Sequence, residues 1–196
     1  EIVKKNTKQQ FADGCDYFVF VGALNPRKNL SNIFKAFDSF KSNNQTNIKF
    51  VVVGEKMYWS GDIKSTYDKM KYKDDVIFSG RLEPDVLCNV VGSSVGLVFP
   101  SFFEGFGIPI IEAFNAEVPV ITSNVTSMPE IAGDAAMLVN PVSVEQIASA
   151  MFKISSDSEY ARSLVEKGKL RREDFSWERT SENVWRSIEK VILNDK

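Results

Sequence analysis

The sequence contains no histidine among its 196 residues. Histidine is the usual general base near neutral pH and the commonest metal-binding side chain, so its absence excludes the most frequent catalytic and metal-site designs. Any chemistry at neutral pH therefore has to use carboxylates, lysine or arginine side chains, and backbone dipoles.

Cysteine is also scarce. Cys15 and Cys88 lie far apart and neither belongs to a CxxC pair, which argues against a disulfide scaffold or a thiolate metal site. This usage suits a reducing compartment, so we expect a cytoplasmic protein. Long apolar runs are missing too, and no segment approaches the roughly 20 apolar residues that a helix needs to cross a bilayer.

Strong charge of either sign is absent as well. The formal net charge is −2, so no overall basic field is available to hold a nucleic acid, and we expect no nucleic-acid partner. The hydrophobic fraction of 43% and the charged fraction of 26% are typical of a globular domain. The chain opens on Glu1 rather than Met, so we expect it to be a piece of a longer protein.

Short apolar runs alternate along the chain with longer helical patterns. The runs are continuously apolar, as strands covered on both faces must be. The predicted strands are 17–21, 48–53, 76–79, 95–99, 118–122 and 136–139. The predicted helices are 29–42, 61–72, 83–93, 109–116, 127–132, 143–155, 158–172 and 177–193. This alternation predicts an α/β fold: a Rossmann-like, doubly wound parallel sheet of about six strands with helices on both faces and a helical C-terminal tail.

The same pattern suggests three regions. Residues 1–16 are polar and mixed, and are interpreted as a connector. Residues 17–156 form the predicted Rossmann-like domain, and 157–196 form C-terminal helices expected to pack on it, with the alternative that they reach toward a missing part of the protein. In such a sheet, ligands bind in the crevice outside the carboxyl ends of the strands, so the loops after the strands matter most.

The loop after the first strand, VGALNPRKNL, carries two cations. Gly22 ends the strand, Pro26 shapes the loop, and Arg27 and Lys28 stand just before a predicted helix. The N-terminus of a helix is already positive, so cations there are unfavourable unless a polyanion lies between them. The alternative is that both are ordinary exposed basic side chains.

The loop after the fourth strand, SFFEGFGIPIIEAF, carries two carboxylates in an apolar setting. Gly105 and Gly107 allow close backbone approach, and Pro109 fits the start of a helix. A buried carboxylate without partners costs several kcal/mol, so Glu104 and Glu112 must be exposed, paired or aimed at a ligand rich in donors.

The start of that helix is predicted to offer free N–H groups at Gly107, Ile108 and Ile110. Together they form an anion pocket flanked by two acids, which suits a ligand with a central diphosphate and sugar diols at both ends, such as a nucleotide sugar. Neither a GxGxxG nor a Walker motif occurs. The alternative is a capped structural helix with Glu104 in a surface turn. After the fifth strand, Ser127 and Glu130 are interpreted as helix-capping residues.

These segments resemble the retaining glycosyltransferases of family 4, also called group 1, in their carboxy-terminal domain. The likeness rests on PSFFEGFGIPIIEAFNAEVPVITSNVTSMPEIAGDAAMLVNP, with its E-x7-E acids at Glu104 and Glu112, and on VGALNPRKNL, VVVGEKMYW, FSGRLEPDVL and DFSWERT. It covers the chain from about Tyr17 and is most similar to the mannosyltransferase-like branch.

The resemblance implies one half of a GT-B fold, the half that binds the nucleotide-sugar donor. It implies transfer of a hexosyl group, mannosyl by the branch resembled, from an NDP-sugar to a glycan or a lipid-linked acceptor. GDP-mannose is the expected donor, with UDP- and ADP-sugars as alternatives, and neither a cofactor nor a metal is expected. The partner is the missing N-terminal GT-B domain, without which the fragment is expected to be inactive. Peripheral association with the inner face of the membrane through that half stays open.

The resemblance also assigns roles by position. Arg27 and Lys28 would hold the diphosphate, Glu104 would lie at the sugar near the reacting carbon, and Glu112 would take the ribose hydroxyls; the catalytic set is Glu104, Lys28 and Arg27. Backbone groups of 106–108 would contact sugar and phosphate, and the loop 80–82 would border the base. The residues expected at the substrate are Gly22, Arg27, Lys28, Gly80, Arg81, Leu82, Glu104, Gly105, Phe106, Gly107, Ile108 and Glu112.

Two departures and three alternatives accompany this assignment. Ala23 stands where some members carry an arginine, so the diphosphate depends more on Arg27 and Lys28, and Val91 replaces a frequent tyrosine without evident meaning. The alternatives are a GT-B relative such as a sugar-nucleotide epimerase, a purely binding domain, and a response-regulator-like signalling module. The last would need an acceptor aspartate at the end of its third strand, where this chain has DVIFSGRL.

Overall fold

The computed structural model describes residues 1–57, 59 and 61–194. Its centre is a six-stranded sheet in which every neighbouring pair is parallel. The strands are β1 (Tyr17–Val21), β2 (Lys49–Val53), β3 (Val76–Gly80), β4 (Gly96–Phe99), β5 (Val120–Ser123) and β6 (Met137–Val139). Their spatial order is β3-β2-β1-β4-β5-β6. The predicted doubly wound sheet is confirmed, and every predicted strand overlaps an observed one.

Helices cover both faces of this sheet. They are α1 (Ile2–Ala12), α2 (Leu30–Asn44), α3 (Gly61–Asp68), α4 (Pro84–Gly92), α5 (Ile108–Asn115), α6 (Met128–Ala132), α7 (Val144–Ser156), α8 (Ser158–Arg172) and α9 (Trp177–Asn194). One layer contains α2, α3 and α7, and the other contains α1, α4, α5 and α8. Strands enclosed by two layers have no solvent-facing side, which is why their sequences are apolar without alternation.

The core between the layers is rich in phenylalanine. Phe18 and Phe20 of β1 are fully buried, and Phe37 and Phe40 of α2 pack on the same face. Phe18 meets Phe40 edge to face with ring centroids 5.7 Å apart. Such pairs add about 0.5–1.5 kcal/mol beyond the buried area, so α2 is held firmly over β1. This fixes the loop between them, which carries Arg27 and Lys28.

The expected connector at the amino end is largely helical. Helix α1 packs against α4, β2 and β3, and Ala12 is fully buried. Only Thr7 and Ala12 are buried in this helix. An apolar stripe that small produces no helical period in the sequence, which explains why composition pointed to a connector. The division into three regions stays a prediction.

The C-terminal tail differs from the expected packing of the whole segment 157–196. Helix α8 packs on α5 so closely that a Cβ at Gly168 would lie 2.8 Å from the Phe114 ring. Helix α9, by contrast, is exposed at every side chain that the structure describes, with Trp177 83% and Trp185 60% exposed. Within residues 1–57, 59 and 61–194, no helix combines the length and the apolar character needed to cross a membrane.

One buried hydrogen bond links the start of β1 to α4. The hydroxyl of Tyr17, which is fully buried, donates to the carbonyl of Val90 at 2.7 Å, and burial raises the pKa of that hydroxyl. Tyr17→Phe should therefore lower the free energy of unfolding by about 1–3 kcal/mol, since the Val90 carbonyl loses its partner. Denaturant unfolding measures this. An unchanged midpoint and slope would show that the bond contributes nothing.

Candidate functional site

The strand order changes direction between β1 and β4, which are neighbours in the sheet but distant in sequence. To one side the chain proceeds from β1 to β2 and β3, and to the other from β4 to β5 and β6. In open parallel sheets a crevice forms at this switch point, outside the carboxyl ends of the two strands. The loops that leave β1 and β4 therefore define the candidate site.

The loop after β1 turns sharply and directs its cations into the crevice. Gly22 has φ +146°, and a Cβ there would lie 3.7 Å from the Lys28 Nζ, so glycine leaves space beside that ammonium. Residues Pro26–Lys28 form one turn of 3₁₀ helix, in which the Asn25 side chain accepts from the backbone N–H of Arg27 at 3.0 Å. Helix α2 then starts at Leu30, so both cations stand at its N-terminus, as the sequence predicted.

Asn29 ties this loop to its neighbours, a role that sequence analysis missed. It adopts a left-handed conformation with φ +65° and is 1% exposed. Its side-chain amide donates to the carbonyls of Pro100 at 2.8 Å and Pro141 at 2.7 Å. The backbone N–H of Phe102 also donates to the Arg27 carbonyl at 2.9 Å. The loops after β1 and β4 are thus joined directly. Asparagine's tolerance of the left-handed region just before a helix was the available signal.

Both cations meet Glu104. The Nη1 of Arg27 donates to Glu104 Oε2 at 2.7 Å, and the Nζ of Lys28 lies 2.6 Å from Glu104 Oε1. Arg27 also donates to the carbonyl of Phe103 at 2.6 Å. We call Arg27, Lys28 and Glu104 the acid–cation cluster. Three residues that the sequence analysis assigned to one site are therefore in contact.

Two members of the acid–cation cluster, Glu104 and Lys28, are largely withdrawn from water, whereas the Arg27 side chain is 43% exposed. The side chains of Glu104 and Lys28 are 10% and 14% exposed, and Lys28 Nζ also lies 4.6 Å from the centroid of the Phe99 ring. Burial by itself would raise the pKa of Glu104, but the hydrogen bonds from Lys28 and Arg27 outweigh it and the net shift is downward. Glu104 is therefore ionised at neutral pH, and its carboxylate offsets the two cations beside the positive helix end. The alternative interpretation, in which Glu104 stands in a surface turn, is therefore wrong.

Glu112 stands in a different environment. It lies on α5, its side chain is exposed, and within the described part of the chain its carboxylate makes no hydrogen bond or ion pair. Burial raises the pKa of Glu112 above its ordinary value. The carboxylate is thus open to solvent and to a ligand that donates hydrogen bonds, and no contact within the described residues gives it a stabilising role.

The raised pKa of Glu112 predicts a pH-dependent effect of Glu112→Gln on stability. A carboxyl whose pKa is higher in the folded state favours folding while it is protonated, and this contribution is lost as pH rises through the folded pKa. At pH 7 the variant should be more stable than wild type, by less than about 1 kcal/mol because the side chain is exposed and its charge is screened by solvent. The two should converge at pH values below the ordinary glutamate pKa. Urea unfolding at both pH values measures the difference.

The backbone at the start of α5 corrects one prediction. Gly107 has φ +112° and precedes the helix, with Pro109 in its first turn. The N–H of Ile110, predicted to be free, donates instead to the Gly107 carbonyl at 2.9 Å, because the first turn of the helix closes on itself. Phe106 and Ile108 are 44% and 58% exposed at the rim of the crevice.

The loop 80–82 lies farther away than the other predicted substrate residues. It follows β3, at the same edge of the sheet as the acid–cation cluster but two strands from β1. Gly54 connects the two regions. Its N–H donates to the Gly80 carbonyl at 2.9 Å, and a Cβ at Gly54 would lie 2.0 Å from the Gly22 carbonyl oxygen. The structure thus brings Arg27, Lys28 and Glu104 into contact and leaves Gly80, Arg81 and Leu82 as a separate rim.

Ser127 does not cap α6, contrary to the prediction. It precedes the helix but makes no side-chain bond to the helix N–H groups. Its hydroxyl instead reaches the loop after β4, 2.9 Å from the Glu104 carbonyl and 3.0 Å from the Phe106 carbonyl. In the described residues, no group of three or more histidine, cysteine, aspartate or glutamate side chains is placed to hold a metal ion.

Three known proteins illustrate what this chain is similar to. The chain is 27% identical over 162 residues to O-antigen chain mannosyltransferase B of Escherichia coli, covering 83% of this chain and 42% of that protein. The Anabaena protein HepE, solved in complex with UDP and glucose, superposes with a TM-score of 0.82 at 14% identity, covering 96% of this chain and 52% of that one. The C-terminal domain of the group 1 glycosyl transferase LpcC of Francisella tularensis superposes with a TM-score of 0.73 at 22% identity, covering 86% and 90%.

These coverages agree with the fold. The chain spans about half the length of HepE and less than half of the E. coli relative, and it matches nearly all of the LpcC domain. It therefore has the extent of one half of a GT-B fold. The model of the glycosyl transferases group 1 family matches residues 2–171, most of the chain. On this match, with the sheet and the acid–cation cluster in place, the chain belongs to the glycosyl transferases group 1 family.

Proposed function

We propose that this chain is the carboxy-terminal, donor-binding half of a retaining glycosyltransferase of family 4. The observation that carries the proposal is the acid–cation cluster at the switch point: two cations, one acid and a helix N-terminus meet where an open parallel sheet binds its ligands. Cations beside helix N–H groups suit a diphosphate. The match to a C-terminal group 1 domain supports the assignment of the half.

Each charged residue of the site has its own role in the proposed reaction. Lys28 and Arg27 would stabilise the negative charge that grows on the diphosphate as the bond to the sugar breaks. Glu104, ionised beside them, would face the positive charge that develops at the anomeric carbon. Glu112, which has no partner in the described residues, would accept hydrogen bonds from the ribose diol. The loop 80–82 would border the base, and no metal or cofactor takes part in this scheme.

The donor and acceptor follow from the relatives. Mannosyltransferases are among the matched proteins, which supports mannose as the sugar and GDP-mannose as the donor. The HepE structure with UDP and glucose keeps UDP-sugars as the second choice, and ADP-sugars remain the third. We propose a glycan or lipid-linked acceptor, bound mainly by an amino-terminal GT-B half, and a cytoplasmic location with access to the inner face of the membrane through that half.

Calorimetric titration of the chain with GDP, UDP and ADP, and with the matching nucleosides, tests the donor site. We expect weak binding of one diphosphate, with its nucleoside binding more weakly still, because the cations contact only the phosphates. No binding of any nucleotide would overturn the proposal and favour a binding domain with another ligand. Membership of the glycosyl transferase family already argues against the signalling alternative.

A second measurement separates a transferase from an epimerase-like relative. The chain should be joined to its amino-terminal half and supplied with the preferred sugar nucleotide. Release of nucleoside diphosphate that depends on an added acceptor supports transfer, whereas isomerisation of the sugar without an acceptor supports the epimerase-like alternative. We expect the 196-residue chain by itself to give no turnover.

A further inference from the structure

We propose that Ser127 is a positioning residue that holds the backbone of Glu104, so that the carboxylate stays between Arg27 and Lys28. The inference rests on the proposed function only in giving Glu104 a role toward the substrate. The placement of Glu104 itself follows from contacts inside this chain. Ser127 would act through the loop after β4 and would not touch the ligand.

The contacts of Ser127 are directed at the loop that carries Glu104. Its Oγ lies 2.9 Å from the Glu104 carbonyl and 3.0 Å from the Phe106 carbonyl. One hydroxyl proton serves both acceptors, shared or in alternation. The preceding residue adds a weaker contact, in which the N–H of Glu104 donates to Thr126 Oγ1 at 3.4 Å. The loop between β5 and α6 therefore contacts both the N–H and the carbonyl of Glu104.

The geometry of Ser127 is not that of a helix cap. Its backbone is in the α region at φ −78°, and its side chain bonds no N–H group of α6. Ser143 shows what a capping serine looks like in this chain: its backbone is extended and its hydroxyl accepts from the N–H of Gln146 at 3.2 Å. The Ser127 hydroxyl is therefore free of the usual role of serine at this position.

Helix α6, which directly follows Ser127, is itself held in place by neighbouring side chains. The Nε of Arg171, on α8, donates to the Ile131 carbonyl of α6 at 3.1 Å, and its Nη2 donates to the Glu130 carbonyl. Phe175 lies under the Arg171 guanidinium and meets the ring of Phe106 edge to face at 5.7 Å. Helix α6 is thus fixed from α8, and a hydroxyl carried at its start can hold a loop in one place.

The loop after β4 needs such a contact. A Cβ at Gly105 would have no neighbouring atom within 4 Å, so packing does not restrain the loop there. Yet Glu104 must reach two cations at 2.6 Å and 2.7 Å with its side chain almost enclosed. Removal of the Ser127 hydroxyl would take away the bonds to the carbonyls on either side of Gly105 and leave the Glu104 backbone with only the weak Thr126 contact, so the carboxylate would leave its place between the cations for part of the time.

A site-specific titration of the Glu104 carboxyl carbon by NMR, with the signal assigned by its loss in Glu104→Gln, tests this without a ligand. The groups that face the carboxylate are Lys28, Arg27 and the Ser101 hydroxyl, and together they lower its pKa. In Ser127→Ala the pKa of Glu104 should rise toward its ordinary value, and in Ser127→Thr, which keeps the hydroxyl, it should stay as in wild type. The matched control Ser143→Ala should lower the melting temperature and leave the Glu104 pKa unchanged.

An unshifted Glu104 pKa in Ser127→Ala would overturn the proposal, and so would an equal rise in the alanine and threonine variants, because the hydroxyl would then not be responsible. If Ser127→Ala does not fold, Ser127→Cys, which is similar in size but a weak donor, takes its place with the same expectation. Binding of a nucleoside diphosphate to wild type is measured separately. If the titration behaves as expected while no diphosphate binds, the positioning role stands and the proposed function fails.

Discussion

Lys28→Met should weaken the binding of a nucleoside diphosphate to this chain by roughly 10- to 100-fold, which corresponds to the about 1.5–3 kcal/mol of a hydrogen bond to a charged group. Lys28 is 14% exposed and packs over the Phe99 ring. Methionine keeps most of that packing and removes the charge. Binding of the free nucleoside should not change, and calorimetry against both ligands measures the difference. An equal loss for diphosphate and nucleoside would show that Lys28 does not contact phosphate.

The same substitution affects stability through Glu104. Because the pKa of Glu104 is lowered in the folded state, its ionised form stabilises the fold above the ordinary glutamate pKa, and that contribution is lost as pH falls through the folded pKa. Without Lys28 the contribution shrinks, so the stability gap between wild type and variant should be widest near neutral pH and narrow in acid. Lys153→Met is the matched control. It breaks an exposed ion pair with Asp157 far from the crevice and should leave the binding of both ligands unchanged.

The sheet could be predicted because its physical cause is visible in the sequence. Strands buried on both faces are apolar without interruption, as in Tyr17–Val21, and the amphipathic helices between them supply the two outer layers. Predicted and observed strand ends differ by at most two residues. Helix α1 was not predicted, because it buries too few side chains for its sequence to show a helical period of apolar residues. Helix α9 was predicted as a helix, but a helical pattern does not show whether the apolar side of the helix packs on the domain or stays exposed.

The three residues of the acid–cation cluster could be predicted as neighbours, but their contacts with one another could not. Two cations just before a helix predict a nearby anion, and the anion predicted from sequence was the diphosphate of a ligand. The structure shows that Glu104, 76 residues after Lys28, also provides that charge. Asn29 and Ser127 act through backbone carbonyls distant in sequence, and no local pattern encodes such bonds. Serine is common beside helices for capping, and the capping interpretation of Ser127 gave no reason to expect its other partners.

The two acids of the E-x7-E motif therefore differ in environment more than their similar surroundings in sequence suggest. Glu104 is paired twice and its pKa is lowered, while burial raises the pKa of Glu112, which has no partner in the described residues. An acid paired with cations helps to order them when no phosphate is bound, and it competes with a phosphate for them. An exposed acid without a partner contributes no stability to the fold at neutral pH, and it stays open to a donor-rich ligand. Under the proposed function, the motif would combine a group that organises charge with a group that binds the ligand.

Glu104→Gln should accordingly strengthen the binding of a nucleoside diphosphate to this chain. The carboxylate lies within 2.7 Å of both cations, so a diphosphate on Arg27 and Lys28 comes close to a like charge. The repulsion is on the order of 1 kcal/mol after screening, so its removal should tighten binding about fivefold. Glu112→Gln should do the reverse and weaken the same ligand, because a neutral amide accepts less strongly from a diol. Calorimetry with the two variants side by side provides an internal control, since both replace one acid of the same motif by its amide.

In a longer protein that includes the proposed amino-terminal half, Glu104→Gln should lower kcat by about 10²–10³-fold, the usual cost of removing one group that stabilises transition-state charge, although its diphosphate product binds more tightly. The donor KM should rise little, because the proposed contact strengthens mainly as positive charge develops on the sugar. Tighter product binding also slows release, so single-turnover measurements are needed to show that the chemical step itself is slower. A variant with tightened diphosphate binding and an unchanged chemical step would leave Glu104 as an organiser of the two cations and would remove it from the proposed catalytic set.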